Sequence, residues 1–436
     1  VNFGATGSAS WVTTVKTTDF TAVAGEGYFV NTTGGEIDVT LPAGTAGAVV
    51  AVADYANNFA TANCILKQNG SDKIEGSTDD LVINQEGVSI TLVFVDSTKG
   101  WVTTDTGNST NVFVSPSITA TGGTITTVNC GACKVHTFTA PGTFCVSAIA
   151  GNAANNEISY MIVGGGGGAG SNQNPGGPGG SGGGGAGGFR EVKSPVTPYT
   201  ASPLDGYGTP GNRVTVTATA FPIVVGSGGA GGPSFNNGTI GVNSTAFSKT
   251  SAGGGSGGKS GPGGSPPGNL GSPGGAGGSG GAGGGSPGTS GSGGAGNTPP
   301  VSPSQGFAGG SGATGGYGGG SGGGATVVGY NAVSSPAGNP DAPTKSTGAT
   351  TSINGSPTAF AGGGGGGGWC GGTAPGNVGG AGGGGQGSFG PFPAGGSTAT
   401  AGTANTGGGG GGVFNSSGVT GKNGGSGIVI IRYKIQ

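Results

Sequence analysis

The chain has 436 residues, 116 of them glycine, and 7 % of its residues are charged, where ordinary globular domains have roughly 7 % glycine and about 25 % charged residues. This excludes a conventional apolar core along the whole length, and the low charge equally excludes a chain kept open by its own charges. The net charge of −2 hides a segregation: residues 1–108 carry 12 acids and 4 bases, residues 109–436 carry 4 acids and 10 bases, and these bases are too thinly spread to make a nucleic-acid surface.

There is no apolar run of about 20 residues to span a membrane and no secretory signal. The chain starts at Val1, which points to a piece of a longer polypeptide. Residues 1–108 are predicted to be an all-β module. Strand-forming runs recur at Trp11–Val15, Tyr28–Asn31, Ile37–Leu41, Val49–Ala53, Ile65–Lys67, Leu81–Asn84, Val88–Val95 and Trp101–Thr104. Turn residues separate them, among them Gly34-Gly35, Pro42, Asn57-Asn58, Asn69-Gly70 and Gly100. Asn-Gly between two such runs predicts a hairpin, because both residues tolerate positive φ. Val88, Ile90, Leu92 and Phe94 alternate as in a strand covered on one face. About eight short strands in about 100 residues predict a small β-sandwich. No helical period occurs anywhere.

Residues 109–160 are predicted to be a β connector. Thr124–Val128 and Lys134–Thr139 flank a tight Cys-Gly-Ala-Cys turn, and Phe144–Ile149 and Ile158–Val163 follow. The last of these runs straight into Gly164.

Residues 161–436 form the glycine-rich domain, closed by a strand at Ile428–Tyr433. Its tracts lie at 164–170, 176–188, 226–232, 253–258, 274–285, 309–324, 362–368, 379–387 and 407–412. A flexible linker has no use for the apolar clusters at Met161–Val163, Ile223–Val225, Thr326–Val328 and Ile428–Ile431, nor for a dozen aromatics. Collagen needs glycine at every third position without interruption, and Ser286 breaks the longest such run, Gly268 to Gly283. What remains is a bundle of polyglycine-II helices, extended and left-handed, with three residues per turn and a rise of about 3.1 Å. Their N–H and C=O groups all point outward and need partners. Ordering glycine costs about 0.5–1 kcal/mol more than ordering alanine, so many tracts must pack together, with the apolar clusters and the closing strand as clamps. Ser, Ala, Asn and Pro are expected where a position faces solvent or a gap.

Several stretches resemble a known family. Tyr160-Met-Ile-Val-Gly-Gly-Gly-Gly-Gly168, Gly-Gly-Phe-Arg-Glu at 187–191, Ile-Val-Val-Gly-Ser-Gly-Gly-Ala-Gly-Gly at 223–232, the tracts after Phe360 and Gly-Gly-Ser-Gly-Ile-Val-Ile-Ile-Arg-Tyr at 424–433 resemble the glycine-rich domain of bacteriophage tail fibres and related virion appendages. Lys-Val-His-Thr-Phe-Thr at 134–139 is similar to the strand that leads into such domains. Gly-Tyr-Phe-Val-Asn-Thr-Thr (27–33), Val-Thr-Leu-Pro (39–42), Gln-Asn-Gly (68–70) and Val-Asp-Ser-Thr-Lys-Gly-Trp (95–101) resemble other fibre modules. The resemblance implies a non-enzymatic structural and adhesive protein of a virion or extracellular appendage. It would self-associate, as a homotrimer if it forms a shaft, and attach to a host-cell receptor, a glycan or an outer-membrane protein, through segments between the tracts. The alternative is a purely structural filament subunit. Aromatics beside glycine tracts are the candidates for receptor contact, namely Tyr207, Tyr330, Trp369, Phe389 and Phe392; the competing role for each is to cap the lattice.

Other chemistry fares poorly. Gly253–Ser260 spells a phosphate-binding loop, but Pro262, Pro266 and Pro267 forbid the helix it requires. His136 is the only histidine and is expected in a strand. The acids Glu191, Asp205 and Asp341 are isolated in sequence, unlike the paired carboxylates of a glycosidase. Cys130, Cys133, His136 and Cys145 are a permissible zinc set of unusual spacing, with a disulfide among them or free thiols as alternatives. Cys64 and Cys370 are read as small buried hydrophobes. No cofactor is expected.

Overall fold

The computed structural model describes residues 9–106, 117–129, 131–172, 179–261, 270–315, 318–333, 346–368, 378–389, 398–414 and 420–435. They are strand and extended chain almost throughout; the described helix is short 3-10 turns at Ala153–Asn156 and Pro210–Asn212. The chain divides into two compact units. One is the N-terminal chain to Thr119 with Ala148–Asn156; the other is Ala120–Ser147 with Glu157–Lys434.

The first unit contains β1 (Ser10–Lys16), β2 (Phe20–Thr21), β3 (Glu26–Val30), β4 (Ile37–Thr40), β5 (Val49–Asp54), β6 (Cys64–Lys67), β7 (Leu81–Ile83), β8 (Ser89–Asp96) and β9 (Gly100–Thr106). They form two sheets, β1-β3-β5-β8-β9 and β2-β4-β6-β7. As far as β6 the chain alternates between the sheets, so β1, β3 and β5 pair in parallel, and so do β2, β4 and β6. A tight turn joins only antiparallel neighbours, whereas parallel neighbours need a crossover. Here each crossover is a strand of the other sheet. The expected hairpin at Asn69-Gly70 is modified accordingly. Gly70 turns at φ 59°, but the chain runs on to Leu81 before β7 pairs antiparallel with β6.

Inward-facing side chains of both sheets make one core. Val30, Val50, Val52, Leu92 and Trp101 come from the first sheet and Ile37, Val39, Cys64, Leu66 and Leu81 from the second. Each large apolar side chain buried this way contributes about 1.5–3 kcal/mol. β8 buries Ile90, Leu92 and Phe94 in alternation, as its pattern predicts. Gly100 has φ 73° and a Cβ there would lie 1.8 Å from the Lys73 carbonyl oxygen, so only glycine lets Trp101 enter the core. The Asp54 carboxylate accepts the amides of Ala56, Asn58, Phe59 and Gly87 and ties two loops to the end of β5.

The second unit contains β10 (Thr119–Thr121), β11 (Thr124–Val128), β12 (Cys133–Phe138), β13 (Gly142–Ala148), β14 (Ser159–Val163), β15 (Phe189–Val192), β16 (Ala220–Ile223), β17 (Ser244–Ala246), β18 (Lys249–Ser251), β19 (Ala349–Thr351), β20 (Thr358–Phe360) and β21 (Ile428–Lys434). Its main sheet has the order β11-β12-β21-β14-β15, antiparallel throughout. The last strand of the chain is thus the middle strand of the sheet. One face packs Val135, Met161, Val163, Phe189, Ile428 and Ile430 against Ile353 and Phe360. The opposite face carries an aromatic cluster of His136, Phe144, Tyr160, Phe247 and Tyr433. Arg432 is fully buried; its guanidinium donates to the carbonyls of Pro198, Ser352 and Ile353 and lies over the Tyr199 ring, 5.0 Å from its centroid.

Three strands of this sheet continue without a break as glycine tracts: β14 into 164–172, 179–188 into β15, and 420–427 into β21. All the amides of 181–188 bond to other tracts, and the partner changes with a period of three. Gly182, Gly185 and Gly188 donate to Gly258, Gly255 and Ala252; Gly183 and Ala186 to Gly320 and Gly323; Ser181, Gly184 and Gly187 to Val413, Gly410 and Gly407. Three further tracts approach its carbonyls: Gly170, Gly167 and Gly164 donate to Gly182, Gly185 and Gly188; Gly285, Ala282 and Ser279 to Gly180, Gly183 and Ala186; and Gly364 and Gly367 to Gly184 and Ser181. Partner numbers also step by three, rising for parallel neighbours and falling for antiparallel ones. Such close approach leaves no room for side chains: a Cβ on Gly184 would lie 2.0 Å from the Gly167 carbonyl oxygen.

The residues that replace glycine are placed accordingly. Ala186 packs into the apolar cluster under the sheet. Ser181 is buried, and its hydroxyl accepts the Val413 amide at 2.8 Å. On outer tracts, side-chain carbonyls take amides of the adjacent tract: Asn237 from Lys259, Asn243 from Gly253, Asn331 from Ser311 and Asn423 from Gly231.

Candidate attachment surface

The sheet fixes one end of the tracts. From Phe189 back to Gly180 the chain spans about 28 Å at a rise of about 3.1 Å per residue. Register then defines the far end. Gly180 bridges Phe414, and Gly368 bridges both Gly318 and Phe389. The Ser260 amide donates to Ser171 and the Gly285 amide to Gly180, so these residues lie there too. There Asn172 is locked by donating to the Gly179 carbonyl at 2.9 Å and accepting the Ser260 hydroxyl at 2.7 Å.

The aromatic candidates separate. Tyr207 is half-buried, with the Arg213 guanidinium 4.2 Å from its ring centroid and its amide donating to Asp205 Oδ1; it follows β15 and belongs to the sheet end. Phe389 is half-buried at the far end. Tyr330 is 3 % exposed, with its hydroxyl accepting the Gly366 amide and its own amide donating to Ser321. Its burial sets Tyr330 apart from the half-buried Tyr207 and Phe389. Trp369 and Phe392 lie outside the described residues. An apolar feature of the outer tract 236–243 went unrecognised in the sequence: Ile240 and Val242 are 61 % and 50 % exposed. Its only signal is glycine confined to positions 238 and 241, three apart.

The sulfur and nitrogen groups do not converge. Cys133 and His136 are three apart on β12, and alternation along a strand puts them on opposite faces. Cys133 is buried and Cys145 exposed, both as free thiols; Cys130 is outside the described residues. His136 Nδ1 is 2.7 Å from the Gly122 carbonyl oxygen and Nε2 is 3.0 Å from the Tyr433 hydroxyl. A carbonyl only accepts, so Nδ1 carries the proton and Nε2 accepts from Tyr433. Burial holds the imidazole below its ordinary pKa and pushes Tyr433 up to about 12. No group of three or more metal-ligating side chains occurs among the described residues.

Glu191 and Asp205 come together in a backbone bridge, but their carboxylates are occupied. Glu191 accepts the Ser202 amide and the Thr351 hydroxyl, and its burial raises its pKa. Asp205 accepts the amides of Lys193 and Tyr207. Asp341 is outside the described residues. The phosphate-loop sequence at 253–260 is an extended tract whose amides at Gly254, Gly255, Gly257, Gly258 and Ser260 already bond to carbonyls of other tracts, and none of them is free to cradle a phosphate.

A family model described as a glycine-rich domain matches residues 139–434, from the end of β12 to the end of β21. No curated protein matches the chain.

Proposed function

The chain belongs to the glycine-rich domain family, and we propose that it is a non-enzymatic structural and adhesive component of a bacteriophage tail fibre that mediates host-cell attachment. In this reading residues 1–108 are a β-sandwich fibre module and the tracts are a bundle of polyglycine-II helices. The observation that carries it is the period-three rotation of hydrogen-bond partners along 164–171 and 181–188, which matches a three-residue turn and makes a stiff rod. Receptor contact falls to the end of the rod marked by Ser260, Gly368, Phe389 and Phe414, with Tyr207 at the opposite end as a separate candidate. The working form is a self-associated fibre, a homotrimer if this chain forms its shaft, on a virion or extracellular appendage. A filament grown by lateral packing of lattices gains little support, since Asn237, Asn243, Asn331 and Asn423 already occupy amides on outer tracts.

The test is adsorption of the labelled full chain to a panel of bacterial strains, before and after replacing the segments that follow Gly261, Gly368, Phe389 and Phe414 with short Gly-Ser turns. Loss of adsorption with unchanged thermal unfolding supports the reading. Undiminished adsorption refutes contact at that end.

A further inference from the structure

A second binding surface lies on the first unit, independent of the glycine lattice. Side chains alternate across a strand, and Val12, Tyr28, Val50 and Val52 face the core. Trp11, Gly27, Phe29, Ala51 and Ala53 therefore lie on the opposite face, where Trp11 is exposed, Phe29 and Ala53 are half-buried and Gly27 and Ala51 are buried. Tyr55, whose amide still donates to the Val30 carbonyl at 2.9 Å, continues that alternation. The register aligns Trp11 with Gly27 and Phe29 with Ala53, so the three aromatics step diagonally over β1, β3 and the end of β5.

Gly27 determines how the first ring lies. A Cβ at Gly27 would meet three indole carbons of Trp11 at 2.9–3.1 Å, so the missing side chain lets the indole rest flat on the backbone. Phe29 sits beside it with ring centroids 4.9 Å apart and planes inclined by 31°. Trp11 remains 41 % and Tyr55 58 % exposed. Large rings held open on a bed of glycine and alanine gain nothing for the core, and exposed aromatic patches of this kind mark binding surfaces.

We propose that this outer face binds a neutral polysaccharide, with Trp11, Phe29 and Tyr55 stacking against successive pyranose rings. Sugar rings present flat C–H faces that match aromatic faces while their hydroxyls stay hydrated, and a row of rings fits a chain. Charge selects the occupant. Residues 1–108 carry 12 acids against 4 bases, so pairing this face with a second copy would oppose two acidic units, whereas a neutral glycan meets no repulsion. Three aromatic side chains also fall well short of the roughly 800 Å² per partner of a stable protein interface.

The test is affinity electrophoresis of the full chain through gels containing hydroxyethyl cellulose, dextran or a galactomannan, with Trp11→Ala and Tyr55→Ala as separate variants. The expected result is retardation by at least one polysaccharide, weakened at least about tenfold by Trp11→Ala and measurably by Tyr55→Ala. The Tyr55 side chain is exposed and its amide bond to Val30 survives replacement by alanine, so that variant keeps the test decisive should Trp11→Ala misfold. Absence of retardation in all three gels, or retardation indifferent to both substitutions, overturns the proposal. So does sedimentation showing a dimer that Tyr55→Ala dissociates, which would assign the face to a second copy.

Discussion

Replacing Gly184 with alanine probes the central tract directly. The new Cβ would lie 2.0 Å from the Gly167 carbonyl oxygen, where ordinary contact begins at 3.4 Å; the difference, about 1.4 Å, must come from movement of backbone. Gly167 cannot retreat alone, because its amide donates to Gly185 and its carbonyl accepts from Gly410. Gly184 is held just as firmly, donating to Gly410 and accepting from Gly364. Losing or stretching two or three buried backbone hydrogen bonds, at about 1–3 kcal/mol for each group left unsatisfied, gives a destabilisation of about 3–5 kcal/mol. For a domain of this size that lowers Tm by roughly 10 °C. The control is Gly208→Ala, where a Cβ meets nothing within 4 Å and the substitution is expected to be neutral or stabilising by up to about 1 kcal/mol. Thermal unfolding followed by circular dichroism compares the two. Equal Tm values would refute the close-packed arrangement.

Arg432→Met should destabilise the second unit by about 3–5 kcal/mol, because the carbonyls of Pro198, Ser352 and the buried Ile353 all lose their donor; guanidinium denaturation measures it. His136 should make stability pH-dependent. Its folded pKa lies below the ordinary 6.5, so in that window the unfolded chain binds the proton and the folded chain does not. Stability is full above pH 6.5 and falls as pH drops below it; unfolding midpoints at pH 7.5 and 5.5 should differ more for the native chain than for His136→Gln. Asp54→Ala removes an acceptor shared by four amides and should cost about 2–4 kcal/mol, with hydrogen exchange accelerating in residues 54–59 and 87 and not in the glycine tracts.

The strands of the first unit were legible because alternation and turn residues are local: each expected run from Trp11 to Thr104 coincides with an observed strand. Their pairing was not legible. Parallel register between β1, β3 and β5 depends on crossovers, and one of these contains β2, only two residues long and too short to show a pattern. The closing strand was evident from its apolar run, but nothing in Ile428–Tyr433 reveals that it inserts between β12 and β14. Apolar clusters were uneven guides: Met161–Val163 is core, whereas Val328 is 42 % exposed. The need for many packed tracts followed from backbone hydrogen bonding alone. Which aromatics face outward did not, since Tyr330 and Phe389 both adjoin glycine and only the three-dimensional neighbourhood distinguishes them.

Bonds between tracts order the glycine tracts, and amide hydrogen exchange resolved along the chain tests this most directly. Every amide from Ser181 to Gly188 has a carbonyl partner at 2.7–3.1 Å, so all should exchange at least about a thousandfold more slowly than unstructured glycine, with no residue of the three-residue turn left fast. Exchange of these amides at the rates of an unstructured Gly-Ser chain would contradict it.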